Sequence, residues 1–174
     1  MTSTLKVDTI QGKSTAGKVI MPTGGVVIQT VSATSTTRAS ITSSSFTAFD
    51  LNCDITPKFS TSKILIHLHS GFNSEAADRR IDATVYRTIS GGSATELSGQ
   101  TNGFQTLDHS GNRNEGAFSI HYLDSPSTTT STNYKLYCRS VDSATIEIPS
   151  SSTQMQSIIL MEVVGSFDSN LKEL

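Results

Sequence analysis

Short segments in which apolar and polar residues alternate recur along most of this chain, separated by clusters of Ser, Thr, Gly and Asn. An alternation of period two places every second side chain on one face of an extended strand, whereas a helix needs apolar residues three and four positions apart. The alternation therefore predicts an all-β protein built from short strands. The predicted strands are 26–31, 46–55, 63–70, 81–89, 94–99, 117–123, 133–140, 145–148 and 157–165.

The composition favours the same fold class, because 52 of the 174 residues are Ser or Thr and only 16% are charged. Thr suits the pleated surface of a strand, and Ser competes with the hydrogen bonds of a helix. About eight strands joined by turn-rich connections, with no helices between them, are typical of a sandwich. We therefore expect two antiparallel sheets of jelly-roll type. The longest non-periodic stretches, 71–80 and 98–116, are expected to be loops.

The first 25 residues behave differently from the remainder. Leu5 and Val7 alternate with charged neighbours, Ile10 breaks the phase, and a polar turn follows. A segment this short does not fold alone, but it becomes ordered when it adds to the sheet of a partner. We therefore predict an extended arm over residues 1–25, docking through these three apolar side chains, and a β-sandwich head over residues 26–174. A disordered tail is the alternative.

The last predicted strand is apolar on both of its alternating faces. Ile158 and Leu160 lie on one face, which we assign to the core. The opposite face carries Ile159, Met161 and Val163. A strand of this kind is usually covered on both sides. We therefore predict that the second face contacts a neighbouring subunit.

A stretch near the N-terminus, GKSTAGKV at 12–19, is one residue short of a phosphate-binding loop. Val19 stands where that loop needs the hydroxyl of Ser or Thr to hold magnesium. Pro22 and the two glycines that follow it also disfavour the helix on which the phosphates would sit. We interpret the stretch as a polar turn and expect no nucleotide.

Charge and hydropathy exclude several classes of partner. The 13 Lys and Arg residues are outnumbered by 15 Asp and Glu residues, so no basic surface for nucleic acid is expected. No apolar run approaches the ~20 residues that span a bilayer, and the N-terminus lacks the features of a secretion signal. We expect a soluble protein made in a cytosol. Cys53 and Cys138 have no CxxC spacing and are interpreted as core residues.

Catalytic patterns are also missing from the sequence. No carboxylate pair stands at a hydrolytic spacing on one strand, and no GxSxG motif is present. We therefore expect a non-enzymatic protein without a cofactor. His67 and His69 share one strand face, which is metal-ligand geometry in principle. The competing interpretation places both rings on a solvent or intersubunit face, because the residues between and before them take the core.

Five segments occur together in a defined order. They are STLKVDTIQ at 3–11, ITPKFSTSKILI at 55–66, FSIHYLDSP at 118–126, NYKLYCRS at 133–140 and SIILMEVVG at 157–165. In order and spacing they resemble a family of tailed-bacteriophage virion proteins, seen especially in marine and cyanobacterial phages. The resemblance spans nearly the whole chain.

The resemblance implies a homotrimeric virion protein, assembled in the bacterial cytoplasm, whose arm anchors it to a tail adaptor or capsid protein. The head would be a tail-fibre head or knob that contacts a host surface glycan. In similar fibre tips, HxH pairs from three chains hold an iron ion. Family members often carry shaft repeats, whereas only residues 12–26 separate arm and head here, so a trimeric capsid decoration protein stays open. A cellular carbohydrate-binding module is disfavoured, because the chain has no Trp and four Tyr.

Overall fold

The computed structural model describes residues 25–74, 79–109 and 114–164, and every regular element within them is a β-strand. Residues Val27–Val164 form one compact unit. The strands are β1 (Val26–Ser35), β2 (Ala39–Ile41), β3 (Thr47–Ile55), β4 (Lys63–Ser74), β5 (Arg79–Ile89), β6 (Thr95–Glu96), β7 (Gln105–His109), β8 (Asn114–Asp124), β9 (Thr132–Ser140), β10 (Ile146–Ile148) and β11 (Gln156–Val164). The predicted arm, with Leu5, Val7 and Ile10, lies outside the described residues, so its docking stays a prediction.

The strands pair into two antiparallel sheets that pack together. The six-stranded sheet runs β1, β11, β4, β10, β2, and β8 pairs with the other edge of β4. The five-stranded sheet runs β3, β9, β5, β6, and β7 also pairs with β5. These pairings confirm the predicted all-β, two-sheet sandwich. The jelly-roll order of the strands stays a prediction.

The core lies between the two sheets and follows the alternation of each strand. In β4, Ile64, Ile66 and Leu68 are at most 1% exposed, and in β9 Tyr134 and Leu136 are fully buried. Fully burying an aliphatic or aromatic side chain of this size contributes about 1.5–3 kcal/mol, so these positions supply much of the driving force for folding.

Both cysteines are buried free thiols in this core, as the sequence predicted. Burial raises the pKa of Cys138 well above its usual value. Burial also raises the pKa of Cys53, with a further contribution from the carboxylate of Asp54. A thiol with a raised pKa is a poor nucleophile and metal ligand, so neither cysteine offers reactive chemistry.

Strand structure extends into both of the stretches predicted as loops. β4 continues to Ser74, and β7 forms within the second stretch. The end of β4 was missed because Phe72, Asn73 and Ser74 are all buried, which removes the alternation by which a half-exposed strand is recognised. β7 was missed because Leu107 is the one apolar residue among its five, so the segment shows no alternation.

Buried carboxylates tie loops and strands together at the edges of the core. Asp124 accepts hydrogen bonds from the Tyr134 hydroxyl at 2.7 Å and from Nη1 of Arg87 at 2.8 Å. Burial, followed by the charge of Asp124, raises the pKa of Tyr134 far above its usual value, so this phenol stays a donor. Glu162, fully buried, accepts a hydrogen bond from the Ser62 hydroxyl at 2.6 Å and so holds the β3–β4 connection.

Candidate interaction surface

The face of β11, β4 and β8 that points away from the core is defined by the register of these three strands. Leu65 lies directly between Met161 of β11 and Leu123 of β8. One pair further along, His67 lies between Ile159 and His121. We call these six residues the outer patch. They lie opposite the core because alternate residues of each strand, such as Ile64 and Ile66 in β4, are buried in it.

One row of the outer patch is entirely apolar. Met161 and Leu65 are half-buried, and Leu123 is 37% exposed. Directly opposed side chains on neighbouring strands stand about 4.5–5.5 Å apart, so the three form a continuous apolar strip across the sheet. β1 is the neighbouring strand of β11, and its Val31 packs against the core. Ile28 lies three positions earlier, so it points to the opposite side of the sheet, the side of the outer patch, where it is 41% exposed.

The structure brings together two of the three residues predicted for a subunit interface. Ile159 and Met161 both lie in the outer patch and remain partly exposed. Val163 is opposite Lys63 and only 8% exposed, so its side chain is already covered within the chain. Val163 therefore has little surface left for a partner, whereas Leu65 and Leu123, which the sequence pattern did not single out, lie beside Met161 in the outer patch. Their alternation was visible, but only the register shows that they stand beside Met161.

The second row of the outer patch contains two histidines in direct contact. Nδ1 of His67 lies 2.7 Å from Nδ1 of His121, and the ring centroids are 4.7 Å apart at an interplanar angle of 73°. One ring must donate its Nδ1 proton and the other must accept it. His69, on the same face, instead has Nδ1 3.1 Å from Oγ of Ser119.

His67 and His69 thus share one face, as the alternation predicted, but each ring meets a side chain of β8 rather than the other histidine. Within residues 25–74, 79–109 and 114–164, no group of three or more His, Cys, Asp or Glu side chains is placed to hold a metal ion. His121 escaped the sequence analysis because it is 54 residues away from His67 along the chain.

On the outside of the five-stranded sheet, Asp82 is the centre of an ionic cluster. Its side chain is fully buried and accepts hydrogen bonds from Nη2 of Arg139 at 2.7 Å, Nε of Arg80 at 3.1 Å and Oγ1 of Thr106 at 2.8 Å. The carboxylate is saturated with donors that belong to three different strands. The cluster is therefore a structural clamp and leaves no free carboxylate for chemistry.

Next to this clamp lies a small aromatic cluster. The rings of Tyr86 and Tyr137 stack with centroids 4.0 Å apart, and Phe46 meets the edge of Tyr86 at 6.4 Å. The guanidinium of Arg139 lies over Phe46, 4.9 Å from the ring centroid. Burial, followed by the charge of Glu96, raises the pKa of Tyr86. The lack of Trp and the low number of Tyr disfavoured a cellular carbohydrate-binding module, and the fold places two of the four tyrosines together in this cluster.

No protein-family model matches the chain, and no curated protein matches it significantly. The structure of the described residues contains no helix with the length and hydropathy needed to cross a membrane.

Proposed function

We propose that this chain is a non-enzymatic structural protein of a tailed-phage virion, a homotrimeric tail-fibre or knob protein whose heads associate through the outer patch. The observation that carries the proposal is the apolar row of Met161, Leu65 and Leu123 on the side of the sheet away from the core. Apolar area left on a sheet face favours association, because burying it releases water at about 25 cal/mol per Å².

The area of the outer patch is too small to hold copies of the chain together by itself. Two rows across three strands cover about 14 by 14 Å, on the order of 200 Å², whereas a standard interface buries about 800 Å² on each partner. The contact must therefore extend beyond the outer patch. The exposed Ile28 on β1 supplies further apolar surface on the same side of the sheet.

The homotrimeric state and the virion role are proposed from the resemblance of the five sequence segments to phage virion proteins. Of these segments, TLKVDTIQ is the proposed anchor. A jelly-roll order of strands belongs to the same proposal, and it is supported by the way successive long strands β3, β4 and β5 alternate between the two sheets. With the outer patch closed by identical copies, the five-stranded sheet would face outwards. The aromatic cluster there is the proposed contact with a host surface glycan.

The association is tested by changing Met161 to Asp. A carboxylate cannot be buried in an apolar contact without a partner, so the variant should be a folded monomer. The matched control is Ala48→Asp, an exposed change on the outside of the five-stranded sheet that should leave assembly intact. Sedimentation equilibrium should give three times the chain mass of 18.6 kDa for the unchanged protein and for the control. An unchanged protein that is monomeric at micromolar concentration would refute the proposal.

The virion role is tested separately with the arm. Changing Leu5 and Val7 together to Asp should leave the head folded and trimeric but prevent incorporation into particles, because the charges cannot enter an apolar docking groove. Quantitative mass spectrometry of purified particles measures the incorporation. The same measurement counts the copies: a few tens per particle fit a tail appendage, and hundreds would favour a capsid decoration protein. Normal incorporation of the variant would exclude the arm as the anchor.

A further inference from the structure

We propose that His67 and His121 together form a two-nitrogen binding site for a divalent transition-metal ion, with one site in each chain. The two residues are direct cross-strand partners, and their Nδ1 atoms face each other at 2.7 Å. Both ligands come from the same chain, so the site does not depend on self-association or on the virion role. The site differs from the His67 and His69 pair, whose rings have separate partners on β8.

The geometry needs only a small adjustment. Nitrogen–metal distances near 2.0–2.1 Å with angles of 90–109° place two ligand nitrogens about 2.8–3.4 Å apart. The two Nδ1 atoms must therefore separate by about 0.1–0.7 Å from their hydrogen-bonded distance. Because His121 is exposed and His67 is half-buried, small rotations of the rings are sterically open. The paired backbones of β4 and β8 keep the two Cα positions fixed, which lowers the entropic cost of bringing the ligands together.

The chemistry of the ligands defines the class of ion. Imidazole nitrogen suits Zn²⁺, Ni²⁺ and Cu²⁺, whereas Mg²⁺ and Ca²⁺ require oxygen ligands. A metal ion takes the place of the proton between the two rings: the donor ring transfers that proton from Nδ1 to its own Nε2 by way of solvent, so that both Nδ1 lone pairs face the ion. Water completes the coordination, since two nitrogens from one chain leave positions open. The neighbouring Leu65 and Leu123 form an apolar border on one side of the site.

The experiment is a calorimetric titration of NiCl₂, and separately ZnCl₂, into the chelator-treated full chain. We expect one ion per chain and a rise in the melting temperature, because an ion that binds only the folded state stabilises it. His121→Asn and His67→Asn should each bind at least about tenfold more weakly, since even loss of a supporting partner of a ligand costs 10–100-fold.

His69→Asn is the matched control, because His69 lies on the same strand and the same face but contacts Ser119. It should bind as tightly as the unchanged protein. Met161→Asp is titrated in parallel, so that burial of the outer patch between copies does not conceal the site. Failure of both the unchanged protein and Met161→Asp to bind would overturn the inference. Equal losses in His69→Asn and His121→Asn, or a ratio of one ion per three chains, would overturn it as well.

Discussion

The buried carboxylate of Asp82 permits a quantitative test of how the outside of the five-stranded sheet is held together. Replacing it with Asn keeps the shape of the side chain and removes its charge. Arg139 and Arg80 would then face a neutral amide, although their side chains are 19% and 29% exposed and their guanidinium groups regain some hydration. The Thr106 hydroxyl keeps an acceptor in the amide oxygen.

The expected loss follows from these contacts. Hydrogen bonds to a charged group contribute about 1.5–3 kcal/mol and neutral ones about 0.5–1.5 kcal/mol, so each of the two arginine contacts should lose about 1–1.5 kcal/mol. The two partly buried guanidiniums also lose the carboxylate that balances their charge, which brings the total destabilisation to about 2–4 kcal/mol. Removing one partner of a fully buried ion pair costs somewhat more, about 3–5 kcal/mol. In a chain of this size such a loss lowers the melting temperature by roughly 5–12 °C.

Urea unfolding of Asp82→Asn at neutral pH, followed by far-UV circular dichroism, measures this loss. Asp54→Asn is the control, since Asp54 is exposed on β3 and accepts one hydrogen bond from Asn133. It should change the free energy of unfolding by at most about 0.5 kcal/mol. A loss below about 1 kcal/mol for Asp82→Asn would show that solvent, rather than the carboxylate, satisfies the two arginines.

Two further predictions concern titratable groups. Burial alone would raise the pKa of Glu96, but hydrogen bonds from Ser98, Thr84 and the Gly99 amide outweigh it and hold the pKa below its ordinary value of 4.5. Ionised Glu96 therefore stabilises the folded state above its ordinary pKa, and this stability is lost as the pH falls through the folded pKa. Glu96→Gln lacks this contribution, so its melting temperature should decrease less between pH 6 and pH 3 than that of the unchanged protein. An equal decrease in the two proteins would contradict this assignment. Maleimide labelling of the native protein should be slow at both thiols, and slower at Cys138 than at Cys53, which is 7% exposed. Fast labelling of Cys138 without denaturant would show that the core opens locally.

The alternation of period two was sufficient to identify most strands and their buried faces. It placed Ile158 and Leu160 in the core and Ile159 and Met161 on the opposite side, and the structure agrees. The same rule failed at the end of β4, where both faces are buried and consecutive residues no longer differ in exposure. Alternation can be recognised only where the two faces of a strand differ in exposure, so it gives no signal where both faces are buried.

The sequence by itself determined which side of each strand a residue occupies, because that choice depends only on the local stereochemistry of an extended chain. Only the tertiary structure decided which residues stand side by side, since the register of β4 with β8 and β11 is set by contacts between distant parts of the chain. The apolar row at Leu65 and the histidine pair at His67 exist because of that register. A shift of one residue in β8 would turn Leu123 and His121 towards the core.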